Sequence, residues 1–202
     1  MMSNELFVKP AVVCLFCAVL AGCFSTSSRP PVKSWTVEPA QYGDSVRSPV
    51  RLDELPPPAF KATRLGVVTV LPPYDGTSMR VKLADGTLAE DSYNVFAAPP
   101  AQILRRPVMG ALAAEPRFGH VLSQASTASS EAVAEILVSE LALDCREGRK
   151  AVVSVGLNVI KGREVVLSSE ASGSADAAAG DYTDAFSKAF NSALQESLVR
   201  LK

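Results

Sequence analysis

From residue 65 onward, apolar and polar positions alternate in blocks that change period along the chain. Leu65-Gly66-Val67-Val68-Thr69-Val70-Leu71 is a short, almost unbroken apolar run stopped by Pro72-Pro73, the signature of a buried strand. Met79, Val81 and Leu83 then alternate with Arg80 and Lys82, which predicts a half-buried strand. Asp85-Gly86 predicts a two-residue hairpin turn that returns the chain through Leu88–Phe96. Asp75-Gly76 marks a further turn.

The period then lengthens. Pro99-Pro100 suits the start of a helix, where missing backbone donors do little harm. Ile103, Leu104, Pro107, Val108, Ala111 and Leu112 recur at three- and four-residue spacing. Pro107 predicts a kink or a late true start, because an interior proline loses a hydrogen bond and clashes with the preceding turn. Glu115-Pro116 ends this element, Phe118–Leu122 reads as a short strand, and residues 123–130 form a polar loop. In 133–145 a strand would place Val133, Leu137, Leu141, Leu143 and Cys145 on one side, although the Ala-, Glu- and Leu-rich stretch 132–143 leaves a helix as the rival. Ala151, Val153, Val155, Leu157 and Val159 share one face of a clearer strand. Lys161-Gly162 links it to a partner that begins Glu164-Val165-Val166-Leu167 and turns polar toward Ser172, as an edge strand would. Asp181 can cap a closing helix with Tyr182, Ala185, Phe186, Ala189, Phe190, Ala193, Leu194, Leu198 and Leu201 on one face. The expected fold is α/β: a single domain over 61–202, with a mixed, largely antiparallel sheet packed by two main helices.

Upstream the pattern is different. Residues 11–20 are a run of about ten apolar positions, long enough for a signal-peptide core but far short of the roughly 20 that span a bilayer. The Leu20-Ala21-Gly22-Cys23 that follows resembles the bacterial lipobox. That resemblance implies cleavage of a signal peptide over residues 1–22, a diacylglyceryl group on the Cys23 thiol, and a further acyl chain such as palmitate on the freed amine. Phe24 stands where an aspartate would signal inner-membrane retention, so the resemblance implies an outer-membrane lipoprotein facing the periplasm. Residues 23–60 read as lipid anchor and Pro/Ser-rich tether, with a reach of roughly 120 Å if fully extended at about 3.3 Å per residue. Trp35-Thr36-Val37 is the exception, a candidate short strand pinned to the domain.

Composition narrows the function. A net charge of -1 gives no basic stripe for nucleic acid and no electrostatic reason to adhere to an anionic membrane. With Cys14 and Cys17 in the leader and Cys23 lipidated, Cys145 is the one thiol left, so no intramolecular disulfide is expected. His120 is the sole histidine. No GxSxG elbow accompanies it, and no clustered ligands suggest a metal site. Neither GxGxxG nor a Walker box offers a phosphate cradle. The pairs Asp53-Glu54 and Glu90-Asp91 are sequence neighbours, which does not make them opposed acids across a substrate. No catalytic residue, cofactor or metal is expected, and the protein is read as a non-enzyme.

One stretch is more specific. Tyr93-Asn94-Val95-Phe96-Ala97-Ala98-Pro99-Pro100-Ala101-Gln102-Ile103-Leu104 resembles the ABC-type transport auxiliary lipoproteins. In that family an aromatic-rich strand enters a Pro-Pro-Ala-Gln-like helix start, followed by a Phe-x-x-Val strand, here Phe118-Gly119-His120-Val121. Phe96 stands where many relatives carry tryptophan, and 132–145 lacks their aromatic-rich opening. The resemblance implies a non-catalytic outer-membrane component of an ABC-type intermembrane phospholipid transport system. Its implied partner is a periplasmic protein with a mammalian-cell-entry domain, alongside outer-membrane lipid. Self-association into a homo-oligomer is left open. The alternative is a generic envelope scaffold or assembly lipoprotein.

Overall fold

The computed structural model describes residues 30–40, 58–177 and 181–202, and the fold below is that of the unit Val32–Lys202. Its elements in chain order are β1 (Lys33–Trp35), β2 (Phe60–Val70), β3 (Ser78–Lys82), β4 (Leu88–Phe96), α1 (Pro100–Ile103), α2 (Arg105–Ala114), β5 (Phe118–Leu122), β6 (Ala132–Asp144), β7 (Lys150–Lys161), β8 (Glu164–Asp176) and α3 (Tyr182–Arg200). The eight strands form one mixed, open sheet, and the α/β expectation holds.

Strand β6 organises it. Along one edge β6 pairs antiparallel with β7, from Val133↔Ile160 to Asp144↔Lys150, and β7 pairs antiparallel with β8. The other edge of β6 is shared end to end. β2 runs parallel to its first half, Thr63↔Ala132 to Val70↔Val138, and β3 runs parallel to its last residues, Arg80↔Ala142 to Lys82↔Asp144. The chain leaves this edge at Pro72-Pro73, just after the Leu71 amide donates to the Val138 carbonyl at 2.9 Å. Proline has no backbone donor to continue the ladder. The parallel pairs β2–β5 and β1–β4 complete the two flanks. The longest ladders are thus antiparallel, while parallel pairing joins the distant segments.

The helix rival for 132–143 loses because this segment lies between two pairing edges, which satisfy its backbone groups as a strand. Tertiary context overrides propensity here. The expected face is only half right. Ala132, Ala134, Ile136 and Val138 are buried, whereas Leu137 is 38% exposed. The register with β7 then shifts between Val138 and Glu140, and beyond it Leu141 and Leu143 are buried. One extra residue in the strand reverses side-chain parity, so Val133 and Leu137 lie on the opposite face from Leu141 and Leu143.

Two connections also differ in detail from expectation. The β3–β4 turn is closed by Leu83 and Thr87, whose amide and carbonyl bond at 2.8 Å, and the Gly86 amide donates back to the Leu83 carbonyl. Gly86 alone in this turn has a positive φ, of 84°. A two-residue Asp-Gly turn of the favoured mirror-image type needs positive φ at both central residues, so this three-residue loop, Ala84 to Gly86, replaces it. In the first helical region the helix breaks at Leu104, giving α1 with Pro100 in its first turn and α2 with Pro107 in its own. Pro107 thereby sits where the lost donor costs least.

Helix α3 lies across β7 and β8. Phe186, Ala189, Phe190, Ala193 and Leu194 are fully buried against Ala151, Val153, Val155, Leu157 and Val159, the face that the sequence predicts. Close approach requires Gly173 in β8. A Cβ there would stand 2.2 Å from the Ala189 carbonyl oxygen and 2.7 Å from the Ala193 amide. At the far end of α3, Arg117 donates to the Leu201 carbonyl at 3.1 Å and to the Leu198 carbonyl, neutralising exposed acceptors where the helix dipole is negative.

Candidate functional surfaces

Cys23 and the pair Asp53-Glu54 lie outside the described residues. The first described element after Cys23 is the strap formed by β1 and residues 36–39. Trp35 Nε1 donates to Asn94 Oδ1 at 3.0 Å, and the Trp35 ring packs 5.2 Å from that of Tyr182. The Glu38 amide donates to Ser187 Oγ at 2.8 Å, while Asn191 Nδ2 donates to the Glu38 carbonyl at 3.0 Å. Val37 is buried in the core. The strap therefore joins β4 to α3, and Trp35-Thr36-Val37 is pinned to the domain as anticipated.

The segment Tyr93–Leu104 is an architectural junction. Phe96 meets Phe186 edge-on at 5.4 Å, the Ala97 amide donates to the Trp35 carbonyl at 2.7 Å, and Pro100 and Leu104 are buried. Four elements, β1, β4, α1 and α3, converge on it. Further along, Phe118 stacks against Phe60 at 6.0 Å. Tyr93 alone of these aromatics points outward, at 44% exposure. It stands on a register break between β3 and β4, where the Asp91 carboxylate accepts from the Tyr93 amide at 2.9 Å, the Asn94 amide at 3.1 Å and Asn94 Nδ2 at 2.7 Å.

The face of the sheet away from α3 carries a polar rail. Lys82 pairs with Glu140, Ser154 Oγ reaches the same carboxylate at 3.5 Å, and Ser154 and Ser172 share a 2.8 Å hydrogen bond. Asp144 binds Arg146 at 2.6 Å. Hydrogen bonds from the Arg146 guanidinium, then from its amide, hold the Asp144 carboxyl down to about 2. Shallow cavities open on the described surface, and two of them differ in lining. One, of about 300 Å³, has walls from Leu65, Arg105, Met109 and the 123–125 turn. The other, of about 320 Å³, is lined by charged groups around Asp144 and Lys150.

The residues capable of chemistry are dispersed. His120 is exposed on β5 opposite Ala62, and Cys145 is a free, half-buried thiol beside the core. Glu90 is engaged by Arg80 at 2.8 Å, whereas Asp91 is occupied by the backbone of 93–94, so the two acids do not face one another. Among the described residues no three His, Cys, Asp or Glu side chains group as metal ligands, and no helix is long and apolar enough to cross a membrane. The bulge in β6, the gap at Gly173 and the outward Tyr93 were not foreseen. Asp91-x-Tyr-Asn was the one readable signal among them, an acid two residues before an exposed aromatic.

Similar folds occur in solved structures. A crystal structure of a Xanthomonas campestris protein of the DUF330 family superposes with a TM-score of 0.55 at 17% identity, covering 83% of this chain and 88% of that one. A crystal structure described as an uncharacterized protein gives a TM-score of 0.56 at 16% identity, covering 71% and 90%. No curated protein matches the sequence. The family described as "ABC-type transport auxiliary lipoprotein component" matches residues 53–201, all of the sheet and helices except β1. That match spans well over half of the sequence, and the chain belongs to this family of envelope lipoproteins.

Proposed function

We propose that the protein is a non-catalytic outer-membrane lipoprotein of an ABC-type intermembrane phospholipid transport system. In this reading Cys23 carries the acyl anchor, and the domain docks on a periplasmic protein with a mammalian-cell-entry domain. The observation that carries the reading is the family match over 53–201. The dispersed placement of His120, Cys145 and the acidic side chains supports a role in contact rather than chemistry. Double anchoring, with one component in each membrane, would raise the effective concentration of the pair in the envelope.

Mild crosslinking in cells, followed by purification, tests the proposal. It should recover a periplasmic mammalian-cell-entry protein, with its permease and ATPase attached less directly. Mass analysis of the N-terminal peptide should find residues 1–22 removed and Cys23 acylated, and Cys23→Ser should abolish both. Repeated recovery of peptidoglycan or secretion components instead, with the transport proteins confirmed as expressed, would transfer the assignment to an envelope scaffold.

A further inference from the structure

The strap changes the geometry of anchoring. Cys23 and Lys33 are separated by about ten residues, so the lipid and the first residue of β1 can be no more than roughly 35 Å apart at full extension. β1 runs parallel to β4 in the register Lys33↔Asn94, which sets Val32 opposite Tyr93. β1 pairs only with the end of β4, and the remainder of that outer edge, from Leu88 to Tyr93, has no strand partner among the described residues.

Large apolar side chains are exposed along this same arm. Val32 is 61% exposed and Tyr93 44%, while Leu83 and Leu88 at the hairpin tip are 41% and 40% exposed. Tyr93 is thrust out by the register break that Asp91 stabilises, so its position is built rather than incidental. From Tyr93 to Leu88 is roughly 17 Å along the strand, within the span of the tether. Tyrosine, with an apolar ring and a polar tip, suits a membrane–water interface. The free backbone groups of the β4 edge would remain hydrated at headgroup depth, whereas the hydrocarbon core would not tolerate them.

We propose that the β3–β4 arm, with Val32 and Tyr93, is the membrane-facing side of the domain and rests on the bilayer that holds the Cys23 lipid. This rests on the anchor assigned above. Four partly exposed side chains bind a bilayer weakly by themselves, and the short tether makes the contact persistent. The opposite flank, the outer edge of β8, is thereby turned away from the lipid and toward the periplasm.

The test uses the full lipidated chain in vesicles of phosphatidylethanolamine and phosphatidylglycerol, in a Cys145→Ser background. An environment-sensitive dye is placed at Leu88→Cys or, on β8, at Val166→Cys, which is equally exposed at 41%. Brominated acyl chains should cut emission at position 88 by roughly twofold or more and leave position 166 unchanged. Insertion of a long Gly/Ser segment before Val32 should relieve the quenching at 88. The pair Leu83→Asp and Tyr93→Asp, both at exposed positions, should relieve it too without lowering thermal stability. Equal response at 88 and 166, or protection of 88 that tracks protein density and reports a second copy, overturns the orientation while leaving the anchor standing. An unmodified Cys23 in the same preparation, seen by intact mass, overturns the anchor and the orientation with it.

Discussion

Two hairpins flank β6, and they are built for opposite purposes. The β7–β8 hairpin is long, its inner face is apolar apart from Ser169, which bonds Ser197 of α3 at 2.7 Å, and α3 lies across it, so that Val153, Val155, Leu157 and Val159 are shielded. The β3–β4 hairpin is short; its tip leaves Leu83 and Leu88 about two-fifths exposed, much as the other tip leaves Val166, but no helix lies along its Leu88–Tyr93 stretch. Both turn on a glycine with positive φ, Gly162 and Gly86. Turn chemistry is therefore alike, and the difference lies in what covers the apolar face. Burial beneath a helix makes one arm the core, and its absence leaves the other available for contact.

The largest effect should come from emptying the covered arm. Phe186→Ala or Phe190→Ala removes a fully buried ring and should cost about 3–5 kcal/mol, read as a lower midpoint in denaturant. Lys188→Ala is the control: its ion pair with Asp184 is solvent-exposed, and the change should leave the midpoint essentially where it was. Equal, negligible effects from all three would dissolve the contrast between the arms.

A smaller loss is expected from crowding the same contact. Gly173→Ala introduces a Cβ against the α3 backbone and should cost about 1–3 kcal/mol, with larger residues worse. Gly76→Ala, where the added carbon meets open space, should be near neutral. Comparable melting of the two variants would mean that α3 does not sit so close to β8.

The smallest effect sharpens the picture on the polar rail. Asp144 has a depressed pKa, so its contribution is fully present above the ordinary carboxylate value near 4 and is lost as pH falls through about 2. Asp144→Asn should therefore cost up to about 1 kcal/mol at neutral pH, and wild type and variant should converge in stability between pH 4 and 2. A difference that persists unchanged down to pH 2 would show that the Arg146 contact contributes little.

Much of this was legible because it depends on local periodicity. Every apolar position assigned to the closing helix is buried, and Asp181 does accept from the Asp184 amide at its start. β7 has its predicted face, and β4 and β5 begin and end where predicted. The candidate segment Tyr93–Leu104 was also found from sequence, but its work is visible only in space: Asn94 and Phe96 hold the strap and helix α3 together across a sequence separation that no local pattern spans.

Sequence by itself determined the class of fold, the helix faces and the family, since these follow from the spacing of apolar side chains and one compact motif. Tertiary structure alone decided the rest. Parallel pairing of β2 and β3 along one edge of β6 is set by contacts between segments about 60 to 70 residues apart, and a single bulge after Val138 reverses which side of β6 meets the core. The strap was half legible, since Trp35-Thr36-Val37 stood out as a candidate strand pinned to the domain, and the fold alone supplied its partners. Three strand residues and a few hydrogen bonds from Glu38 and Asn191 turn a stretch that composition reads as tether into part of the domain, because backbone groups paired across a fold outweigh a local preference for extended chain.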